Sequence, residues 1–196
     1  MKSIKNDYCI RMFADSGNNL RPQLNQVSLQ DGYLYATNSH ILGKINADLC
    51  IQNYAVVEKF PNAESLFAYH EYIETKIVSV DRLFNDLMKI ECCFKPKMTD
   101  CDKCGGGGIA ICDYCYSKHD CKECDGTGSV PGEGLELTSE HDVKLYDRKY
   151  KLKYLDLIIR TAVYTDVKEV LISNGKDYAG TIFTVGDFTI LLMPCL

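Results

Sequence analysis

The sequence has no apolar run approaching the roughly 20 residues that a membrane-spanning helix needs. Its first residues, MKSIKNDYCIRMFADSG, carry neither a long apolar segment nor a small-residue cleavage site, so they do not read as a secretory leader. The expected compartment is the cytoplasm, with no membrane partner. Cys195 is second from the end, so the closing Met-Pro-Cys-Leu is not a prenylation box. There is no excess of positive charge. With 22 Lys and Arg against 27 Asp and Glu, the net charge is -5, which argues against coating nucleic acid through bulk charge. A local basic surface stays open. No nucleophile elbow, P-loop or His-Glu-x-x-His is present, and His40, His70, His119 and His141 are far apart. No enzyme is expected, and no catalytic residue is assigned. No repeat at solenoid spacing is visible.

What is present is an ordinary core composition and a surplus of cysteine. The 46% apolar content over 196 residues suffices for one large domain, or one domain with an insert. Eleven cysteines without an export signal point to a metal protein rather than a disulfide scaffold.

Residues 6 to 48 read as β-rich. Val27 and Leu29 alternate before Asp31-Gly32, a strong turn pair, and Leu34 and Ala36 alternate after it. A further extended run, His40 to Ile45, follows Asn38-Ser39. Residues 50 to 78 are mixed, with a turn or helix entry at Pro61-Asn62 and then a short helix. "SVDRLFNDLMKI" predicts a helix capped by Ser79 or Asp81, with Leu83, Phe84, Leu87 and Ile90 mainly on one face. Residues 92 to 135 are rich in Cys and Gly, poor in Leu and Val, and too thin in apolar surface to fold without a staple. Residues 141 to 196 read as β-α-β-β-β, the helix marked by Leu155, Ile158, Ile159 and Ala162. The expected domains are therefore 1–91 with 136–196, and an inserted module at 92–135.

The module holds three Cys-x-x-Cys pairs. The outer two, at Cys101/Cys104 and Cys121/Cys124, both extend to Cys-x-x-Cys-x-Gly-x-Gly. In such a knuckle two thiolates bind from a tight turn, and the glycines let the backbone aim amides at sulfur. Cys101, Cys104, Cys121 and Cys124 are the expected ligands of one Zn2+; disulfides or a redox dithiol are the alternatives. The middle pair, Cys112/Cys115, lacks the glycines. With His119 it offers three ligands for a second zinc, the fourth coming from Cys92, Cys93, His141 or a carboxylate. The alternative is a pair of free thiols. Cys9, Cys50 and Cys195 read as core cysteines. These knuckles resemble the cysteine-rich zinc domain of DnaJ-type chaperones, whose outer knuckles share a zinc. No J-domain signature accompanies them, so the resemblance supports the metal and says little of function. Between Lys95 and Asp125 five Lys face six Asp or Glu, and four thiolates on one zinc add negative charge. That favours a stabilising or protein-contact role over phosphate contact.

The body of the chain carries a second resemblance. In "LRPQLNQVSLQDGYLYATNSHILGKI", Arg21, Pro22, Leu24 and Val27 followed by Ala36 to Leu42 are similar to a stretch of bacterial sliding clamps, the β subunit of the replicative polymerase. Asn38, Ser39 and Ile41 depart from that pattern, although Asn-Ser still favours a turn. The last β-α-β-β-β run, with Tyr154-Leu155 and Met193-Pro194, also looks like a clamp unit. The resemblance implies an α+β fold: one clamp-like domain of two such units, interrupted by the zinc module. From Lys144 to Arg160 there are six basic residues (Lys144, Arg148, Lys149, Lys151, Lys153, Arg160) and two acidic. In a clamp this strand and helix would approach double-stranded DNA; a solvated charged face is the bland alternative. The implied function is a non-enzymatic DNA-processing accessory or scaffold that associates with DNA and partner proteins. One domain per chain would then need a homo-oligomer to close a ring, unless the chain is a monomeric relative that has lost the ring. A module that binds a partner through the zinc hairpin, with no DNA role, is the second reading.

Overall fold

A computed structural model describes residues 2–195 except 15–16, 18–19, 69–71, 89–93, 113, 138–141 and 177–178. The chain divides into two compact units, residues 1–90 with 139–196, and residues 91–138. No helix among the described residues is long and apolar enough to cross a membrane.

The first unit opens with α1 (Ile4–Arg11), then β1 (Ser28–Gln30), β2 (Tyr33–Thr37), β3 (Ile41–Asn46), α2 (Ala63–Ala68), β4 (Tyr72–Ser79) and α3 (Val80–Met88). The second unit contributes β5 (Phe94–Asp100), β6 (Ile109–Ile111), β7 (Lys118–Asp120) and β8 (Ser129–Leu137). The chain then returns to the first unit as β9 (Asp142–Leu145), β10 (Arg148–Lys151), α4 (Leu152–Tyr164), β11 (Glu169–Gly175), β12 (Thr181–Val185) and β13 (Phe188–Leu192).

Seven strands form one antiparallel sheet in the order β1-β2-β3-β13-β12-β11-β4. It consists of two meanders, β1-β2-β3 and β11-β12-β13, each preceded by a helix and joined through their last strands. Ile41 pairs with Leu192 and Lys44 with Thr189. The turns have local causes. Asp31 and Gly32 both take positive φ, 46° and 80°, as a two-residue hairpin between Gln30 and Tyr33 requires. At the next turn the Asn38 side chain accepts from the amides of His40 and Ile41, both at 3.1 Å, which lets Ser39 adopt φ 76°.

One face of the sheet is covered by helices: α1 lies on β2 and β3, α4 on β12, with α1 and α3 both against α4. Ile10, Phe13, Leu34, Ile45, Leu155, Ile158 and Phe183 are fully buried. Tyr35, Leu42, Ala63, Ile182 and Leu191 form another apolar cluster, packed by Phe60 and Phe67. The expected helix is present as α3 over Val80–Met88, with Ser79 Oγ accepting from the Arg82 amide at 3.3 Å, while Ile90 lies outside the described residues.

Two features differ from the sequence reading. Residues 4–11, within a stretch read as β-rich, are helical. Half of the buried positions of α1 are polar (Asn6 and Asp7, beside Cys9 and Ile10), so no apolar stripe announced the helix. Residues 72–79 form strand β4 against β11, extending the sheet where a mixed segment was read. Cys9 and Cys50 are buried, and burial pushes both thiols up to about 11, so they act as inert small hydrophobes. Cys195 is only half-buried, with Asp142 at 3.6 Å, and is not a core residue.

Asp7 fastens α1 to the following chain. Its carboxylate accepts from the Ile51 amide at 2.9 Å, the Gln52 amide at 3.2 Å and the Tyr54 hydroxyl at 3.0 Å, while only 2% exposed. Asp7→Ala leaves three donors short of an acceptor and is expected to cost about 2–3 kcal/mol. A urea midpoint lowered at unchanged slope is the expected measurement; an unchanged midpoint would contradict this role.

Candidate metal centre and binding surfaces

In the second unit β5 and β8 pair from Phe94↔Leu137 to Asp100↔Ser129, and the knuckles stand at the end of this stem. The knuckles repeat each other. The Cys101 amide donates to Gly128 O and the Cys121 amide to Gly108 O, both at 2.8 Å. The Gly108 amide points at Cys104 Sγ and the Gly128 amide at Cys124 Sγ, both at 3.2 Å. Gly108 and Gly128 have φ of 70° and 80°. A Cβ on either would stand 2.3 or 2.2 Å from the carbonyl oxygen of Gly126 or Gly106. The glycines are therefore required by the approach of one knuckle to the other, as well as by the turn.

This arrangement brings four sulfurs within 4.8 Å of one another. Cys101–Cys121 and Cys104–Cys124 are 3.9 and 3.8 Å apart, close to the roughly 3.8 Å edge of a tetrahedron with metal–sulfur bonds of about 2.3 Å. A disulfide needs about 2.05 Å. Burial pushes the Cys101 thiol up to about 11. Burial also opposes ionisation of Cys124, but the Gly128 amide and the neighbouring Cys104, Cys121 and Cys101 thiols outweigh it and bring that thiol down to about 7. The four residues fit a tetrahedral thiolate-bound ion with no position left for water.

Cys112 and Cys115 lie in the turn between β6 and β7, outside this cluster, and His119 is exposed on β7. Among the described residues these three ligand atoms do not converge as the four cysteines do. Cys92, Cys93 and His141, considered as a fourth ligand, lie outside the described residues. The same hairpin exposes Tyr114 (96%) and Tyr116 (79%), with Ile109 and Ile111 half exposed.

In the first unit the Asn38-Ser39 turn stands between two concavities. One is a groove of about 530 Å³ with a floor of Leu24, Ile41, Leu42, Leu66, Leu191 and Met193, rimmed by Arg21, Ser39, His40 and Lys59. The other, about 440 Å³, is lined by Arg21, Asn38, Ser39, His40, Lys153 and Tyr154. The His40 ring stacks on Tyr154 at 5.7 Å, and Lys153 Nζ lies 4.9 Å from the same ring. Sequence reasoning named the turn but missed the groove, because Leu66 and Met193 reach it from segments far apart in the chain.

The six basic residues have different fates. The Arg148 guanidinium donates to the carbonyls of Gly175 and Ala179. Lys151 pairs with Asp142 and Arg160 with Asp156, both at 2.7 Å. Lys144 and Lys149 face each other across β9 and β10, exposed, and like Lys153 make no ion pair among the described residues.

The sequence matches no protein-family model and no curated protein. Solved structures do match. The DNA polymerase sliding clamp of Bacillus subtilis superposes with a TM-score of 0.52 at 12% identity, over 98% of this chain and 62% of that one. The β subunit of Streptococcus pyogenes DNA polymerase gives 0.53 at 14% identity over 97% and 63%. The Helicobacter pylori β clamp, solved with a DNA ligase peptide, gives 0.56 at 8% identity over 98% and 62%. The fold is sliding-clamp-like. The α+β architecture implied by the resemblance is thus present, and this clamp-like chain spans less than two thirds of the length of the clamps it matches.

The knuckle geometry yields a graded expectation. Gly108→Ala should weaken Co2+ binding, followed by its thiolate absorption, roughly 10- to 100-fold. Gly105→Ala, also at positive φ but facing open space, should weaken it far less. Equal effects would mean that turn strain, rather than contact between knuckles, sets the requirement.

Proposed function

We propose that this protein is a non-enzymatic, clamp-like scaffold in DNA processing, stabilised by one Zn2+ on Cys101, Cys104, Cys121 and Cys124. It holds a partner protein by an extended apolar peptide in the groove beneath His40. The observation that carries the reading is that open apolar groove in a clamp-like fold. A cleft of about 530 Å³ with an apolar floor and polar rim is suited to anchoring one or two apolar side chains while backbone and charge stay at the rim. The H. pylori clamp, of similar fold, is described with a DNA ligase peptide bound.

Contact with duplex DNA in this reading falls to Lys144, Lys149 and Lys153, helped by the Arg21 and His40 side of the neighbouring cleft. Arg148, Lys151 and Arg160, predicted with them, are engaged by carbonyls and carboxylates of this chain. With only three of the six cations making no ion pair among the described residues, on a chain of net charge -5, binding should be weak and fall steeply with salt. The second reading, a partner-binding zinc hairpin without a DNA role, draws support from the exposed Tyr114 and Tyr116.

One set of variants separates the two. Peptides selected from a displayed library on the wild-type protein should carry apolar or aromatic anchors. They should lose at least tenfold in affinity to Leu66→Asp and Met193→Asp, both positions about half exposed. Charge reversal of Lys144, Lys149 and Lys153 together should remove duplex binding at low salt. Peptides lost instead on Tyr114→Ser/Tyr116→Ser, with no salt-dependent DNA binding, would replace this function with the second.

A further inference from the structure

The third Cys-x-x-Cys is not used by the four-sulfur centre, and its surroundings differ from the knuckles. β6 and β7 pair Ala110 with His119 and Ile111 with Lys118. The Cys112 amide donates to Ser117 O at 3.0 Å, which carries the ladder one pair further. Side chains alternate along a strand, so Ala110, Cys112, Ser117 and His119 share one face of this hairpin. Cys115 joins them from the turn. Its Sγ is 2.9 Å from Oγ of Ser117, the residue whose carbonyl accepts from the Cys112 amide. The Tyr116 amide closes the turn on Cys112 O at 2.9 Å, with Tyr116 at φ 56°.

Three metal-ligating side chains thus share one side of the apical hairpin. His119 is diagonal to Cys112 across the ladder, a separation of about 7–8 Å that an imidazole can bridge. It is exposed, so its rotation meets no packed neighbour. Both cysteines meet Ser117, Cys112 through the backbone and Cys115 through its side chain.

We infer that Cys112, Cys115 and His119 form a second metal site, for Zn2+ or a similar divalent cation, with three protein ligands and a fourth position open to an external ligand. This differs in kind from the first centre, where four buried thiolates close the coordination sphere. Here two thiolates and one imidazole lie on an exposed hairpin, and water completes the sphere in the isolated protein. The second ion should therefore bind more weakly and exchange faster than the first. Tyr114 and Tyr116 are exposed in the same turn, and the ligand that replaces water would come from whatever approaches this tip. The inference does not rest on the DNA role.

The test is metal stoichiometry by native mass spectrometry of protein titrated with Zn2+, together with the absorption of the Co2+ form. Two ions per monomer are expected, the second removed first by a chelator of intermediate strength. Cys112→Ser/Cys115→Ser should bind one ion, and His119→Ala should weaken the second at least tenfold, both leaving the first unchanged. Cyanide or imidazole should perturb the Co2+ spectrum of the two-ion form but not of the Cys112→Ser/Cys115→Ser protein. One ion per chain at saturation, an unaltered second affinity in His119→Ala, or three ions shared by two chains would overturn the inference. Loss of the first ion as well would show as zero, which keeps failure of the first centre distinct.

Discussion

The pairing of β3 with β13 is the constraint from which the clamp-like unit follows. Residues 41–44 and 189–192 lie near opposite ends of the sequence, yet they are neighbours at the centre of one sheet. Each is the last strand of a three-strand meander. Once they pair, the two halves of the sheet and their helices are set side by side. Closing so long a loop costs little more than closing a shorter one, since the entropic penalty grows only with the logarithm of length. The chain between can therefore carry an extra strand, an extra helix and a whole metal module without disturbing the central pair.

That tolerance makes the inserted unit responsible for its own stability. Residues 91–138 have a two-stranded stem, a short hairpin and, among the described residues, few buried hydrophobes beyond Cys101, Cys121 and Cys124, with Cys104, Ala110 and Val130 partly buried against them. A unit of this size needs a staple. The two knuckles supply it by a reciprocal arrangement in which the first glycine turn hydrogen-bonds the second cysteine and the second glycine turn hydrogen-bonds the first. Charge follows the same logic. Four thiolates around one divalent ion would leave net negative charge, which the amides pointed at Cys104 and Cys124 would help the small module tolerate.

Features written locally were legible in the sequence, and features written across the chain were not. Asp31-Gly32, Asn38-Ser39 and the Cys-x-x-Cys-x-Gly-x-Gly knuckles each encode their geometry within a few residues, and each adopts it. The helix of residues 4–11 was hidden because its inward face carries Asn6 and Asp7, whose partners Leu49, Ile51 and Tyr54 lie more than 40 positions away. β4 was hidden because its register is set by β11, almost 100 residues on. The groove depends on Leu24, Leu66 and Leu191 meeting, which no single window contains. The basic run shows the converse case. Six cations stand close together in the sequence, but Arg148 donates to the carbonyls of Gly175 and Ala179, and Lys151 and Arg160 pair with carboxylates beside them.

This partition of charge shapes how such a molecule can meet DNA. A face on which half of the six cations are held by the chain's own acceptors has no dense array to exchange for counterions, so phosphate contact would add little affinity and would fade as salt rises. Apolar burial in a groove is indifferent to salt. A single Leu or Phe side chain taken from water is worth about 1.5–3 kcal/mol, as much as several exposed ion pairs. In the proposed function, strength of association would therefore lie with the protein partner in the groove, while the lysines would contribute orientation toward a duplex. His40 stands where these two surfaces meet. Its ring stacks on Tyr154 on the polar side, and its own residue forms part of the groove rim on the other. A peptide that reaches the rim must therefore press on the same turn that borders the cationic cleft, and the two binding events would be coupled through the residues from Asn38 to Ile41.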